Sequence, residues 1–233
     1  MRILAVGAHP DDIELICAGT LAKCSKRGDK IFMSYLCKGD KGGYGISAQE
    51  LTKIREKEAG RSAAVIGAEI LGGFFPDLEF FVNEDTNRQV VELIRIAQPD
   101  VIITHAPNDY MMDHMHTSKL VVDASFTATL PNLKTEHPAT RAIPPIFFMD
   151  TIGGTDFIPT EFVDISDFID IKEKMLLCHQ SQARWLLEHD KIDYAEFMRD
   201  ISRFRGIQCG VRYAEAFRQY QAWGRIKTVR LLP

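Results

Sequence analysis

The sequence predicts an α/β domain in which helices cover both faces of a mostly parallel sheet. Short apolar runs, such as residues 2–7 and 101–105, have the length and composition of buried strands. Longer segments with apolar residues at helical spacing lie between these runs. Strands and helices therefore alternate along the chain, a pattern typical of parallel sheets whose crossover connections are helices.

The first half of the chain shows this alternation from its first residues. After the strand at 2–7, apolar residues recur at helical spacing over 13–24, and Gly28 marks the end of that helix. The segment KGDKGGYG (38–45) is too rich in glycine for a helix or a strand, so it is either a lid over a site or a plain flexible loop. The remaining elements of this half are a strand at 30–37 (KIFMSYLC), a helix at 48–67 and a strand at 68–74 (AEILGGF).

The second half repeats the pattern and adds a helical C-terminal region. The apolar run VIITH ends in a histidine and is the fourth strand, while Asp167 is a plausible cap for a long helix over 167–188. We predict strands at 101–105, 144–150 and 161–166, and helices at 86–98, 115–130, 167–188, 192–205 and 213–223. The chain is therefore interpreted as a single domain over 1–233, Rossmann-like, with three layers in the order α/β/α.

Composition excludes several classes of function. The net charge is −4 with no basic block, which argues against nucleic acid as a partner. No apolar stretch approaches the roughly 20 residues of a membrane span, and the N-terminus carries no signal-peptide core. The five cysteines are widely spaced and include no C-x-x-C pair, so we expect reduced thiols in a cytoplasmic protein.

The rule for parallel sheets gives the expected position of the site. In such sheets the ligand binds beyond the carboxyl ends of the strands, near a switch in strand order. That rule selects the loops that follow the first four strands, and the clusters of histidine and carboxylate residues fall in them. These loops are residues 8–12, 38–45, 75–79 and 105–114.

The first of these loops has the composition of half a metal site. His9 and Asp12 are three residues apart at the start of a helix, so their side chains can converge on one ion while Asp11 stands beside it. Imidazole and carboxylate together suit a divalent ion such as zinc, although Fe²⁺ would also fit. A catalytic zinc needs three protein ligands, so we expect the third from a neighbouring strand end.

The fourth loop offers His105, His114 and His116 as that third ligand. His114 and His116 are two residues apart, which on a helix places them about 200° apart, so they cannot both bind. We expect His114, at the start of the following helix, to be the ligand. A surface or capping role is the alternative for each histidine taken alone.

These motifs resemble the LmbE-like/PIG-L family of zinc-dependent N-acetylglucosaminyl deacetylases. The resemblance rests on AHPDD at 8–12 after the first strand and on Asp113-His114 at a later helix start. It extends through most of the chain, with further blocks at 55–59, at Pro76-Asp77, from 163–166 through 179–182, and at 213–217.

The resemblance implies a role for each motif residue. His9, Asp12 and His114 are the implied zinc ligands, and Asp11 is the implied general base. Arg55 and Asp77 match positions that bind sugar hydroxyls, with a surface charge and a turn residue as their alternatives. The implied function is hydrolytic removal of an acetyl or similar acyl group from an amino sugar or small conjugate, by a protein that is often a homo-oligomer.

One position departs from the family pattern. The family block H-P-D-H is Met111-Met112-Asp113-His114 in this chain, and a thioether cannot donate the proton that the first histidine is thought to supply. Tyr110, together with the histidines at 105 and 116, could substitute. A catalytically altered metal-binding protein on the same scaffold is therefore an alternative, while the absence of G-x-G-x-x-G disfavours nucleotide binding.

Overall fold

The computed structural model describes residues 1–225, in which one mixed sheet is flanked by helices. The strands are β1 (Arg2–Gly7), β2 (Lys30–Tyr35), β3 (Glu69–Leu71), β4 (Val101–Thr104), β5 (Ile146–Met149), β6 (Glu161–Asp164) and β7 (Ala214–Gln219). The helices are α1 (Asp12–Ile16), α2 (Ala18–Lys26), α3 (Ala48–Val65), α4 (Glu84–Ala97), α5 (Met112–Thr127), α6 (Ile169–Leu176), α7 (Gln180–His189) and α8 (Tyr194–Cys209). The predicted strands and the helices before residue 167 are present, with ends shifted by a few residues.

The strand order creates a switch point beside β1. The order is β3-β2-β1-β4-β5-β7-β6, and β1 to β5 run parallel while β7 is antiparallel to both of its neighbours. Ile3 of β1 pairs with Ile31 on one side and with Val101 on the other. β2 therefore lies on one side of β1 and β4 on the other, so the strand order reverses at β1. The carboxyl ends of β1 and β4 open onto one crevice at this position.

Alternation along the strands divides the core into two layers. Ile3 and Ala5 of β1 face one apolar cluster, while Leu4 and Val6 face the other. Residues of α1, α2, α3, α6 and α8 contribute to the first cluster, and residues of α4 and α5 to the second. This is the predicted α/β/α arrangement, and it holds the loop ends above the sheet on rigid elements.

Three sequence-based predictions in the helical regions are wrong. Residues 214–219 form the strand β7 rather than part of a helix over 213–223, because pairing with β5 and β6 overrides the local preference. The helix predicted over 167–188 is interrupted before Gln180, where the buried His179 precedes α7. Asp167 lies in a short 3₁₀ turn and does not cap α6.

The first helix is also interrupted, between α1 and α2. Cys17 has a non-helical backbone conformation and stands at the junction of the two helices. Cys17 and Cys24 are both buried in the same apolar cluster, in agreement with a structural role for these thiols. Among residues 1–225, no helix combines the length and the hydropathy that crossing a membrane requires.

Candidate active site

A cavity of about 580 Å³ opens at the switch point between β1 and β4. Most of the side chains that the sequence singled out line it. They are His9, Asp11, Asp12, Arg55, Asp77, Tyr110, Met111 and His114. The two remaining candidates, His105 and His116, are not among its lining residues. Fold and motif therefore point to the same crevice.

The three candidate ligands converge at the floor of this cavity. Nδ1 of His9 lies 3.5 Å from Oδ2 of Asp12, and Nε2 of His114 lies 3.4 Å from Oδ1 of the same carboxylate. One ligand atom from each residue falls within 4.8 Å of the other two. Two imidazoles and one carboxylate in this arrangement match a three-ligand divalent metal site with an open position for water.

Each of the two imidazoles contacts a second carboxylate through its other ring nitrogen. Nε2 of His9 lies 3.0 Å from Oδ2 of Asp113, and Nδ1 of His114 lies 3.1 Å from Oδ2 of Asp109. Such partners fix the ring orientation and leave the other nitrogen for a metal. The buried Nε2 of His114 has no hydrogen-bond partner within residues 1–225, so the donor set fits a cation. Sequence reasoning missed Asp109 and gave no role to Asp113, although both belong to the histidine-rich loop.

Asp11 has an unusual backbone and a buried carboxylate. Its φ of 122° lies in the region that favours glycine, so the residue is strained at the position between β1 and α1. The Tyr194 hydroxyl donates a hydrogen bond of 2.8 Å to Oδ2. Burial and the negative charge of Asp12 raise the pKa of Asp11 to about 6. A carboxyl group with this pKa exchanges protons near neutral pH.

His105 lies beneath the triad, and His116 lies apart from it. The ring of His105 stacks on His114 with centroids 4.0 Å apart, and its Nε2 is 3.1 Å from Asp12 Oδ2. Burial and the charge of His114 lower the pKa of His105 to about 4, so this imidazole is neutral near pH 7. Nδ1 of His116 lies 3.1 Å from the Phe80 carbonyl, outside the cavity.

Arg55, on α3, is buried at the side of the cavity. Its Nη2 donates to the Gly42 carbonyl at 3.1 Å and also to the side chain of Gln182 on α7. A Cβ atom at Gly39 would collide with the Arg55 side chain, and the φ of Gly39 is 70°. The glycine-rich segment 38–45 therefore lies directly over Arg55 because it lacks side chains at these points.

Asp77 attaches that glycine-rich segment to the turn after β3. Its carboxylate accepts the backbone N–H groups of Gly39 at 2.8 Å and of Lys41 at 3.3 Å. The backbone N–H of Asp77 in turn donates to Asp40 at 2.9 Å. Burial raises the pKa of Asp77, while the nearby His9 and these hydrogen bonds act against that rise. Asp77 thus both lines the cavity and positions its wall.

The C-terminal helices contribute a wall that the sequence did not reveal. α7, α8 and the residues between them line one side of the cavity, and the side chains that they contribute are largely apolar or aromatic. These residues are Trp185, Leu186, Ile192, Tyr194 and Phe197, together with the polar Gln182 and Asp190. The sequence predicted helices for all of these residues except Asp190, but it gave no indication of which surface of α7 or α8 faces the first loop.

A buried polar cluster lies behind Asp11. Oε1 of Glu14 accepts hydrogen bonds from the Tyr35 hydroxyl at 2.7 Å and from the Ser62 hydroxyl at 2.5 Å. Nε2 of His179 lies 3.0 Å from the same oxygen as an ion pair. Burial lowers the pKa of His179, but the charges of Glu14 and Asp11 outweigh it and leave the pKa raised.

Comparison with known sequences gives one matching family model and several curated relatives. The model described as "PIG-L: GlcNAc-PI de-N-acetylase" matches residues 4–125. The diacetylchitobiose deacetylase of Thermococcus kodakarensis is 27% identical over 230 residues, covering 93% of this chain and 82% of that protein. The 4-oxalmesaconate hydratase of Pseudomonas putida is 27% identical over 221 residues, covering 88% of this chain and 80% of that protein.

Solved structures with the same fold include proteins of both activities. The N,N'-diacetylchitobiose deacetylase of Pyrococcus horikoshii gives a TM-score of 0.81 at 27% identity, covering 94% of this chain and 83% of that chain. The hydratase GalB of Pseudomonas putida gives a TM-score of 0.83 at 20% identity and covers all of both chains. At that identity the second comparison shows the fold alone, a three-layer α/β domain with a mostly parallel sheet.

Proposed function

The chain belongs to the PIG-L family of de-N-acetylases, and on that premise we propose that it is a metal-dependent N-deacetylase. Its substrate is an N-acetylated amino sugar or a small conjugate of one. A single observation carries the proposal. Nε2 of His114 makes no hydrogen bond within residues 1–225 and lies toward Asp12 at the floor of the cavity. Nδ1 of the same ring is hydrogen-bonded to Asp109. The whole chain acts as one catalytic domain.

His9, Asp12 and His114 hold the metal in this proposal. Zinc suits two imidazoles and one carboxylate, and Fe²⁺ is the second choice for the same donors. When bound, such an ion polarises a carbonyl oxygen and lowers the pKa of bound water. Asp113 and Asp109 keep the two imidazoles oriented, which supports a preformed site.

Asp11 is the general base. Its carboxylate takes a proton from the attacking water and gives that proton to the departing amine. The pKa of about 6 supports this role because the group is ionised at neutral pH and still holds a proton readily once it is transferred. The Tyr194 hydroxyl holds Oδ2 in place, so the proton moves at the other carboxylate oxygen.

Arg55 and Asp77 bind hydroxyl groups of the substrate. Both are buried at the side of the cavity, where Arg55 donates and Asp77 accepts. Tyr110 stands at the mouth, with its ring centroid 6.1 Å from that of His114. The hydroxyl of Tyr110 is our candidate for the hydrogen-bond donor to the transition state that Met111 cannot provide.

Two properties of the whole molecule belong to the same proposal. We expect a cytoplasmic homo-oligomer whose partner is the small-molecule substrate and not nucleic acid. Within the part of the chain described, the five cysteines are all free thiols, which supports a reducing compartment. Light scattering after size-exclusion chromatography measures the assembly, and a monomer at all concentrations would contradict it.

Hydration of an activated carbon–carbon double bond is a second candidate function. Met111 lines the cavity at the position where the family motif has a histidine, and a hydration involves no amide whose transition state a hydrogen-bond donor there would stabilise. Hydratases also occur among the relatives of similar length. Loss of ultraviolet absorbance from an unsaturated dicarboxylate, without acetate release from any amide, would favour this candidate.

The test of the deacetylase uses two adjacent carboxylates. Asp11→Asn is expected to lower kcat for acetate release by roughly 10²- to 10⁴-fold while the protein retains its zinc. Asp12→Asn is expected to lose the zinc itself, which elemental analysis measures. Asp123→Asn on α5 is the control, because this half-buried carboxylate pairs with Lys119 and does not line the cavity. No acetate release from a panel of N-acetyl sugars with several divalent metals would overturn the proposal.

A further inference from the structure

A second group of potential ligands lies beside the metal triad, and it contains a thiol. One ligand atom each from His9, Cys37 and Asp77 falls within 4.8 Å of the other two. Zinc binds sulfur at about 2.3 Å and nitrogen or oxygen at about 2.0–2.2 Å, so the ligand atoms of one ion lie roughly 3–4.5 Å apart. The spacing of the three atoms is therefore close to that of a zinc site. We call these three residues the Cys37 group.

Three adjacent strand ends assemble the Cys37 group. His9 follows β1, Cys37 follows β2 and Asp77 follows β3, and these strands are neighbours in the order β3-β2-β1. The backbone N–H of Cys37 donates to the Ala8 carbonyl at 2.8 Å, and Cys37 also forms a parallel bridge with Phe75. The thiol is thus carried by backbone that is hydrogen-bonded to its neighbours. The metal triad, in contrast, uses the ends of β1 and β4.

The Cys37 group is buried, but an ion can reach it from the main cavity. Cys37 and Asp77 are 1% and 5% exposed, and His9 is half-buried. His9 and Asp77 line the main cavity, whereas Cys37 is not among its lining residues. The two residues at the cavity wall therefore provide the entry path that a metal site requires.

A further carboxylate adds negative charge to the Cys37 group. Oδ2 of Asp113 accepts a hydrogen bond from the Cys37 thiol at 3.8 Å and lies 3.0 Å from Nε2 of His9. The thiol is therefore on the Nε2 side of the ring, while Nδ1 lies toward Asp12. Among the residues that the structure describes, Asp77 and Asp113 form no ion pair with a lysine or an arginine. Their charge is therefore available to attract a cation.

We propose that the Cys37 group is a second, weaker cation site, which takes a thiophilic divalent ion such as Zn²⁺ or Cd²⁺. A coordinated thiol is a thiolate, and this soft ligand selects such ions over Mg²⁺ or Mn²⁺. The two sites share His9, with one ring nitrogen for each ion. Because an imidazole loses both ring protons only with difficulty, the second ion binds after the first. The inference rests on the proposed function for the position of the first ion.

Occupation of the second site is expected to weaken substrate binding. Asp77 is the proposed acceptor for a substrate hydroxyl, and it also holds the glycine-rich segment through the N–H groups of Gly39 and Lys41. An ion that takes this carboxylate as a ligand competes with both interactions. Zinc in excess of one equivalent is therefore expected to inhibit the protein, mainly by raising KM.

Counting bound ions tests the site without any substrate. All proteins carry His137→Gln, because His137 forms an exposed candidate group with Glu92 and Glu136 that can also bind zinc. Equilibrium dialysis against zinc, followed by elemental analysis, is expected to give two ions per chain in this background and one after Cys37→Ser. Cys24→Ser changes another buried thiol, in the apolar cluster, and should keep two ions. A single ion in the background protein, or equal counts with and without Cys37→Ser, would overturn the proposal.

A cobalt spectrum identifies the sulfur ligand directly. Co²⁺ bound by a thiolate gives a charge-transfer band in the near ultraviolet, which nitrogen and oxygen ligands do not give. Protein that already carries one zinc ion is expected to develop this band on titration with Co²⁺, and Cys37→Ala is expected to lack it. No band at saturation would contradict the site even if both Cys37 variants failed to fold. A band of equal size in Cys37→Ala would assign it to another thiol, with the same conclusion.

Kinetics test the consequence for the substrate. With zinc beyond one equivalent, KM for N-acetylglucosamine is expected to rise while kcat changes little, and the same excess of Mg²⁺ should have no effect. Cys37→Ser is expected to require roughly 10- to 100-fold more zinc for the same rise, because even the loss of a residue that only orients a ligand has an effect of that size. Equal inhibition of Cys37→Ser and wild type would contradict the role of the thiol.

The second site and the deacetylase fail in different ways. Two bound zinc ions and a thiolate band, without acetate release from any N-acetyl sugar, would keep the second site and contradict the deacetylase. Acetate release by a protein that binds a single ion would contradict the second site and leave the deacetylase intact.

Discussion

Nδ1 of His114 lies 3.1 Å from Oδ2 of Asp109, and this contact determines which nitrogen of His114 remains for a metal. Asp109→Asn keeps the size of the side chain and removes its charge. We expect zinc affinity to fall by roughly 10- to 100-fold, because the ring loses the partner that orients it. Competition with a chromophoric zinc chelator measures the affinity. Asp123→Asn on α5, the helix that carries His114, should leave the affinity unchanged.

Met111 is expected to limit acetate release. Met111→His restores a group that can donate a proton, so we expect kcat to rise by roughly tenfold or more with little change in KM. Met112→His is the matched control, because Met112 is exposed and does not line the cavity. If kcat does not rise in Met111→His, a different group already provides the proton or the reaction needs none.

Gly39 and Gly45 allow the role of Arg55 to be separated from backbone strain. Both have positive φ, 70° and 67°, but a Cβ atom would meet Arg55 at Gly39 and nothing within 4 Å at Gly45. Alanine at either position is expected to cost about 1 kcal/mol of stability. Gly39→Ala alone should also raise KM by roughly tenfold, because it displaces Arg55.

Melting curves and steady-state kinetics on both alanine variants measure these effects. Equal KM values for the two variants would show that Arg55 does not bind the substrate.

The Glu14–His179 ion pair predicts how stability depends on pH. His179 has a raised pKa in the folded state. Its contribution to the free energy of unfolding is therefore complete below the ordinary pKa of 6.5 and is lost as pH rises through the raised value. Burial acts to raise the pKa of Glu14, but the charge of His179 and the hydroxyls of Ser62 and Tyr35 leave it below its ordinary 4.5. Its contribution is therefore lost only as the medium becomes strongly acidic.

His179→Gln tests that dependence. We expect a loss of about 3 kcal/mol near neutral and mildly acidic pH, because Glu14 keeps its hydroxyl donors but loses the opposite charge. The difference from wild type should shrink as pH rises, as measured by urea unfolding at several pH values. His137→Gln, which breaks an exposed pair with Glu92, should show a much smaller loss. If the stability difference between wild type and His179→Gln grew as pH rises, the predicted direction of the pH dependence would be wrong.

Local sequence patterns predicted the part of the candidate site that lies in the loops after β1 and β4. The apolar run of β1 followed by a histidine and two aspartates predicts both a strand and a cation site, because the end of a parallel strand faces the crevice. The same rule brought the loop after β4 beside it. The position of His114 at a helix start carried its choice as the third candidate ligand. The family resemblance carried the proposed role of Asp11, and the family comparison supports that resemblance.

The C-terminal third shows where local patterns are insufficient. Residues 214–219 have a composition that suits a helix or a strand, and antiparallel pairing with β5 and β6 selects the strand. His179 interrupts the predicted long helix because its side chain enters the buried cluster of Glu14. Both outcomes depend on partners far away in sequence, which local periodicity does not contain.

The sequence by itself determined the fold class, the crevice and the candidate metal-binding residue types, because these follow from strand periodicity and from side-chain chemistry at strand ends. Only the tertiary structure decided which groups complete the site. Tyr194 reaches Asp11 across 183 positions, and Trp185 meets Tyr44 only because α7 folds over the glycine-rich segment. Such contacts arise from the packing of separate elements on one sheet, and packing is specified by the whole chain rather than by any of its segments.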